Sequence, residues 1–181
     1  QESPAFKKIW KDLGGEALPL ATDAKKAFPK SVKALAVHAD SFMFYTSSQG
    51  IVKQALTGVG KKYVKIAKEL YAHPEWDSAV GCAFLGGFYS VAPWPIGSKG
   101  KAAQFLGEGA KRAPTRRNLY YVGVISYQLG EYAKSADFFR EALKAPLCTD
   151  ASSTEVDIFD FLTSEAKRGL AAAEEALAKA Q

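Results

Sequence analysis

The stretch 118–146, NLYYVGVISYQLGEYAKSADFFREALKAP, limits what this chain can fold into more than any other part of it. Leu119, Val122, Gly123 and Tyr127 recur at helical spacing and predict one amphipathic helix. Ser135, Phe138, Phe139, Ala142 and Leu143 predict a second. Gly130-Glu131-Tyr132 makes the corner between them, and Pro146 ends the second helix. The small residues Gly123, Ser135 and Ala142 let two helices approach closely, with Leu119, Tyr132 and Phe139 filling the space around them.

This pattern resembles a tetratricopeptide (TPR) repeat, a helix pair of about 34 residues. With Gly123 at the eighth position, Leu119 falls on the large fourth, Ser135 on the small twentieth, Phe139 on the aromatic twenty-fourth and Ala142 on the small twenty-seventh. Gly130-Glu131-Tyr132 matches the usual Gly-Asp-Tyr corner, although Ser126 replaces a common aromatic and Pro146 arrives one position early. Leu85-Gly86-Gly87-Phe88-Tyr89 resembles a second copy, with Gly86 at its eighth position and about four residues inserted at Ala92-Pro93-Trp94-Pro95-Ile96-Gly97. Ala102, Leu106 and Gly109 then take the small, large and small positions of its second helix.

The rest of the chain reads as helices too. A basic last turn stopped by proline recurs before Pro29, Pro74, Pro114 and Pro146. Lysine and arginine suit the negative pole of a helix dipole. Residues 4–13 predict a short helix with Phe6, Ile9, Trp10 and Leu13 on one face. Gly14-Gly15 reads as a turn, and a second helix spans 16–27 with Pro19 in its first turn. Ser31 should cap a third helix to about Tyr45. Residues 50–73 form one long helix or two pieces bent near Gly58 and Gly60. Asp77 or Ser78 should cap a helix over 78–91, and Ser98 one over 99–113. Ser152 and Glu155 look like a capping box ahead of a final helix over 154–179.

These readings predict an all-α chain. The resemblance implies one TPR-like domain over 1–181, a right-handed helical solenoid of antiparallel pairs. Degenerate pairs occupy 4–74, clearer repeats 79–146, and a long C-terminal capping helix 154–180.

Composition narrows the function classes. Nearly half the residues are apolar, as a folded core requires, yet no apolar run approaches the roughly 20 residues of a membrane span. The net charge of +5 comes mainly from scattered lysines, without the dense cationic clusters and interleaved aromatics of a specific nucleic-acid binder. Two cysteines are too few for a disulfide scaffold. Cys82, on a helix face that should be buried, reads as a reduced core thiol. His38 and His73 make no metal spacing and read as ordinary core or surface histidines. Asp157, Asp160 and Glu165 could suggest a metal site or an acid/base pair but fit the polar side of the last helix better.

Gly97-Ser98-Lys99-Gly100-Lys101 is rich in Gly and Lys, but Pro95 and Ala102 stand where a phosphate loop needs Gly and Ser or Thr; an ordinary capped turn is the reading. Trp94 between two prolines is either an exposed binding knob or a cover for an apolar gap. Gln1 in first place is the pattern of a processed mature form, in an organelle or the periplasm, or of a trimmed chain; the sequence leaves the compartment open.

In TPR proteins the first helix of each pair lines a groove. Carried over, the resemblance implies partner-binding roles for Arg117, Tyr120, Val124, Tyr127 and Gln128, to which Trp94 is added as the knob. The earlier repeat would contribute Val80, Ala83, Gly87, Ser90 and Val91. Tyr121 stands where the family's carboxylate clamp needs Asn, so chaperone-tail binding is not implied. The expected role is non-enzymatic: a protein–protein interaction scaffold or accessory subunit, with another protein as partner and no cofactor or metal. The alternative is a soluble binding protein enclosing a small apolar or anionic ligand. The chain also resembles TPR-like proteins of bacterial TRAP transporters, and the regulator-of-microtubule-dynamics family.

Overall fold

A computed structural model describes residues 3–49 and 57–180, and among these the chain is all-α, with eight helices and no strand. It divides into two compact units, Gln1–His73 and Pro74–Gln181, rather than the single domain expected over 1–181. The break falls at Pro74, after one of the basic helix ends.

Unit 1 contains α1 (Pro4–Ala27), α2 (Val32–Ser47) and α3 (Val59–Tyr71), with α2 packed against both others. Helix α1 corrects the expected turn at Gly14-Gly15: it runs unbroken, with Pro19 in its interior. Gly14 is there for close approach. A Cβ on it would lie 2.8 Å from the backbone nitrogen of Tyr45 on α2. Ser3 and Ser31 cap α1 and α2 by accepting from the amides of Phe6 and Ala34. Of the predicted α1 face, Trp10 packs 5.9 Å from the Phe44 ring, while Phe6, Ile9 and Leu13 are exposed. Gly58 precedes α3 with φ +69°, matching the predicted bend; the part of that prediction on 50–56 lies outside the described residues. Lys25 Nζ meets Glu69 Oε2 at 2.5 Å, tying α1 to α3.

Unit 2 contains α4 (Val80–Val91), α5 (Lys99–Arg112), α6 (Arg116–Gln128), α7 (Tyr132–Lys144) and α8 (Glu155–Lys179). Each packs on the next, and short connections make the neighbours α4 to α7 antiparallel. Helix α6 is central, in contact with α4, α5, α7 and α8. Close approach again falls on glycine. A Cβ on Gly86 would lie 2.4 Å from Leu106 Cγ, one on Gly123 2.8 Å from Phe139 Cδ1, and one on Gly169 2.5 Å from Phe139 Cζ. Phe139, 2% exposed, is thus clasped between glycines of α6 and α8. The corner at Gly130 has φ +79°. There the Glu131 amide donates to Ser126 O and the Gly130 amide to Tyr127 O, the bonds of a Schellman ending.

Two cap predictions are corrected. Helix α4 starts at Val80 with no side-chain cap, because Asp77, Ser78 and Ala79 form a left-handed turn with φ of 43°, 52° and 58°. Helix α8 starts at Glu155 without a capping box, because Ser152 and Glu155 bind other segments.

Candidate functional site

The connections of unit 2 fall into two sets at opposite ends of its helices, and the two ends differ in chemistry. The end bearing the starts of α4, α6 and α8 is a buried polar junction. Arg117, Asn118 and Arg116 open α6, where positive charge opposes the helix dipole and calls for acceptors. Glu155, 1% exposed, supplies one: its Oε1 accepts from the Arg117 amide at 2.7 Å, and its Oε2 from the Cys148 amide at 3.2 Å. Asp77 supplies another, accepting from Arg117 Nη1 at 3.0 Å, Thr154 Oγ1 at 2.9 Å and the Thr154 amide at 3.1 Å. The Asp77 amide donates to Ser152 Oγ, and the Asp77 carbonyl accepts from Arg117 Nη2. Arg116 donates to the carbonyls of Ala142, Leu143 and Ala145, closing the end of α7, and lies over the Phe159 ring at 3.8 Å. Asn118 donates to Ser78 O and Ala113 O. So many matched donors and acceptors make this end a fastening, with its groups already committed.

Cys148 borders the junction. Its Sγ lies 3.4 Å from Ser78 Oγ, and the hydrogen bond from that hydroxyl lowers the thiol pKa, helped by the Asp150 backbone. Cys82 is buried, and desolvation pushes its thiol up to about 11. Neither cysteine is in a disulfide.

The opposite end, bearing the α4–α5 connection and the α6–α7 corner, is apolar and open. Trp94 is 89% exposed, and Val91, Ile96, Tyr127 and Leu129, in or next to the two connections, are exposed as well. The α4–α5 connection is held by internal bonds. The Ile96 and Gly97 amides donate to Pro93 O, and the Ser98 amide donates to Tyr89 O. Gly97 is pressed so close that a Cβ would lie 2.0 Å from Ala92 O, and the Trp94–Pro95 peptide is cis. Ser98 caps α5 as expected, accepting from the Lys101 amide at 3.3 Å. Lys99 Nζ donates to Gln128 O at 2.7 Å, joining the start of α5 to the end of α6. The Tyr127 and Tyr132 rings lie 5.3 Å apart around the corner, tilted at 59° to each other.

Of the residues expected to bind a partner, Trp94, Tyr127 and Gln128 lie at this end and are exposed. Val124 is half-buried one turn below. Tyr120 is half-buried against Tyr121 and Phe139, and desolvation raises its phenol to about 12. Arg117 is a correction: it is 4% exposed, at the far end, inside the polar junction. In the other predicted set Val80 is buried and Val91 exposed. No family model, curated protein or solved structure matches the chain.

Among the described residues, no group of three or more His, Cys, Asp or Glu converges as a metal site, and no helix is long and apolar enough to cross a membrane. Asp157 and Asp160 are exposed, and Glu165 Oε1 pairs with Arg168 at 2.8 Å. Unit 1 carries a cleft of about 410 Å³ between Leu18, Pro19, Asp23 and Lys26 of α1 and Tyr45 of α2. Its walls carry one aromatic ring, and Asp23 and Lys26 at its rim are exposed and paired at 3.2 Å.

Proposed function

We propose that this chain is a non-enzymatic interaction scaffold, built in unit 2 on TPR-like helix pairs, that holds another protein by its Trp94 end. The observation that carries the reading is the presentation of Trp94: a large side chain almost wholly in water, on a connection fixed by its own hydrogen bonds. A backbone already held in place has little entropy to lose on binding, and tryptophan is a frequent centre of interface energy.

The repeat resemblance is supported by glycine spacing. Gly86 meets Leu106 twenty residues on, and Gly123 meets Phe139 sixteen residues on. The difference of four is the length of the insertion that carries Trp94. Read this way, the insertion extends the corner of one repeat and leaves its helix pairing intact. The ligand-carrier alternative expects an enclosed pocket lined by Phe and Tyr, and the wide cleft of unit 1 has little of that character.

The test is affinity purification from the native source with the wild-type chain and Trp94→Ala side by side. A stoichiometric protein partner held by the wild type and lost by the variant, with the thermal midpoint unchanged within about 2 °C, is the expected result. Identical recovery with both chains overturns the reading.

A further inference from the structure

We infer that the Trp94 end takes an apolar peptide segment flanked by carboxylates, an inference that rests on the proposed scaffold role and assigns the chemistry of the partner. Charge is what decides it. Between Asp77 and Glu108 the chain has no acidic residue, and its only charged residues there are Lys99 and Lys101. Between Glu108 and Glu131 there is again no acidic residue. The carboxylate nearest the corner, Glu131, is already bonded to Lys134 at 2.8 Å.

Both lysines are held in place by uncharged groups. Lys99 Nζ donates to Gln128 O, and Lys101 Nζ lies 5.3 Å from the centre of the Tyr89 ring. Neither forms a salt bridge within the described residues. Two ammonium groups therefore lie at the same end of unit 2 as the exposed Val91, Trp94 and Ile96, with no carboxylate partner among the described residues. A segment that offers an apolar side chain to Trp94 and carboxylates to Lys99 and Lys101 satisfies both halves of the surface. An anionic lipid surface is the poorer fit, because recognition by charge there takes clusters of about four to eight cations, and this end has two.

The charge asymmetry of the units gives the inference a boundary. Residues 1–73 carry twelve basic and six acidic residues; residues 74–181 carry twelve and thirteen. Unit 2 is thus close to neutral overall, and any attraction it shows for acidic segments comes from local arrangement.

The experiment is selection of a random 12-residue peptide library, displayed on phage, against the full chain, followed by affinity measurement on Trp94→Ala, Lys101→Glu and Lys99→Glu/Lys101→Glu chains. Lys101→Glu leaves the Lys99–Gln128 bond in place, so it separates charge from support of the corner. The expected result is enrichment of Leu, Phe or Trp flanked by Asp or Glu. Affinity should fall about tenfold or more in the double variant, and several-fold between about 50 and 500 mM salt. Neutral or basic peptides that need Trp94 but ignore both lysines overturn the charge inference and leave the scaffold reading standing. Peptides that bind Trp94→Ala as tightly as wild type, or no enrichment at all, overturn both. Trp94-dependent binding to phosphatidylglycerol vesicles without peptide binding would make the surface a lipid site and overturn the inference.

Discussion

Arg117 Nη1 lies 3.0 Å from Asp77 Oδ2, and the two side chains are only 4% and 3% exposed. An ion pair so far from water is held by its neighbours as much as by its own attraction. Thr154 and the Arg117 amide's partner, Glu155, complete the set, and Arg117 Nε alone is left without an acceptor. The pair sits where the backbone is least comfortable. Three successive non-glycine residues with positive φ each cost on the order of 1–2 kcal/mol, and the Asp77 and Ser78 carbonyls are fixed there by Arg117 and Asn118.

Removing one partner should therefore be severe. Asp77→Ala is expected to lower stability by about 3–5 kcal/mol, because Arg117 is left buried and uncompensated. Arg117→Ala should cost a similar amount. The double variant should cost less than the sum, with a coupling of about 1–3 kcal/mol in a chemical-denaturation cycle. Additive losses would mean the two groups do not support each other.

The glycine pair in α1 gives a test with opposite signs. Gly14→Ala places a Cβ against Tyr45 backbone that cannot turn aside, and should destabilise by about 1–3 kcal/mol. Gly15→Ala finds only the Tyr45 ring, at 3.7 Å, and should gain up to about 1 kcal/mol from better helix propensity. Thermal midpoints moving in opposite directions confirm a continuous helix packed at Gly14. Two losses of equal size would favour a turn at these glycines.

His38, half-buried on α2, has a buried Nδ1 without a hydrogen-bond partner. Burial lowers its pKa first, Lys25 on α1 lowers it further, and Glu69 on α3 acts the other way. A histidine with a lowered folded-state pKa takes up a proton more readily when unfolded. Its contribution to stability is therefore complete above the ordinary pKa of 6.5 and falls away as pH drops through that value toward the folded-state pKa. Stability measured from pH 7.5 to 5 should decline, and His38→Gln should flatten the decline. An unchanged slope in the variant would exclude His38 as its source.

Much of unit 2 could be read from the chain because its signals are local. Helical spacing, Gly130 at a corner and Ser98 ahead of α5 act within a few residues, and each stands where the spacing puts it. Gly14, Asp77 and Glu155 were misread for one reason. Each carries a local signal (a turn, a cap, a capping box), while its partner lies far along the chain: Tyr45, Arg117 and again Arg117. One clue to the junction was present. Two arginines opening α6 are placed against its dipole, which calls for buried acceptors but does not say which. At the candidate site, helix boundaries already put Trp94, Tyr127 and Gln128 near the same end of unit 2, whereas the lack of a salt bridge at Lys99 and Lys101 among the described residues depends on what fails to come near them in space.

Helix α6 is pinned at both tips, by Glu155 at the amide of Arg117 and by Lys99 at the carbonyl of Gln128. In mechanical language it is a strut between two anchored joints. A pull on the Trp94 connection reaches the carboxyl tip of α6 through Lys99 and runs down the rod to the joint at Arg117. The end that presents Trp94 and the end that locks the unit thus share one load path, and it passes alongside Phe139 at Gly123.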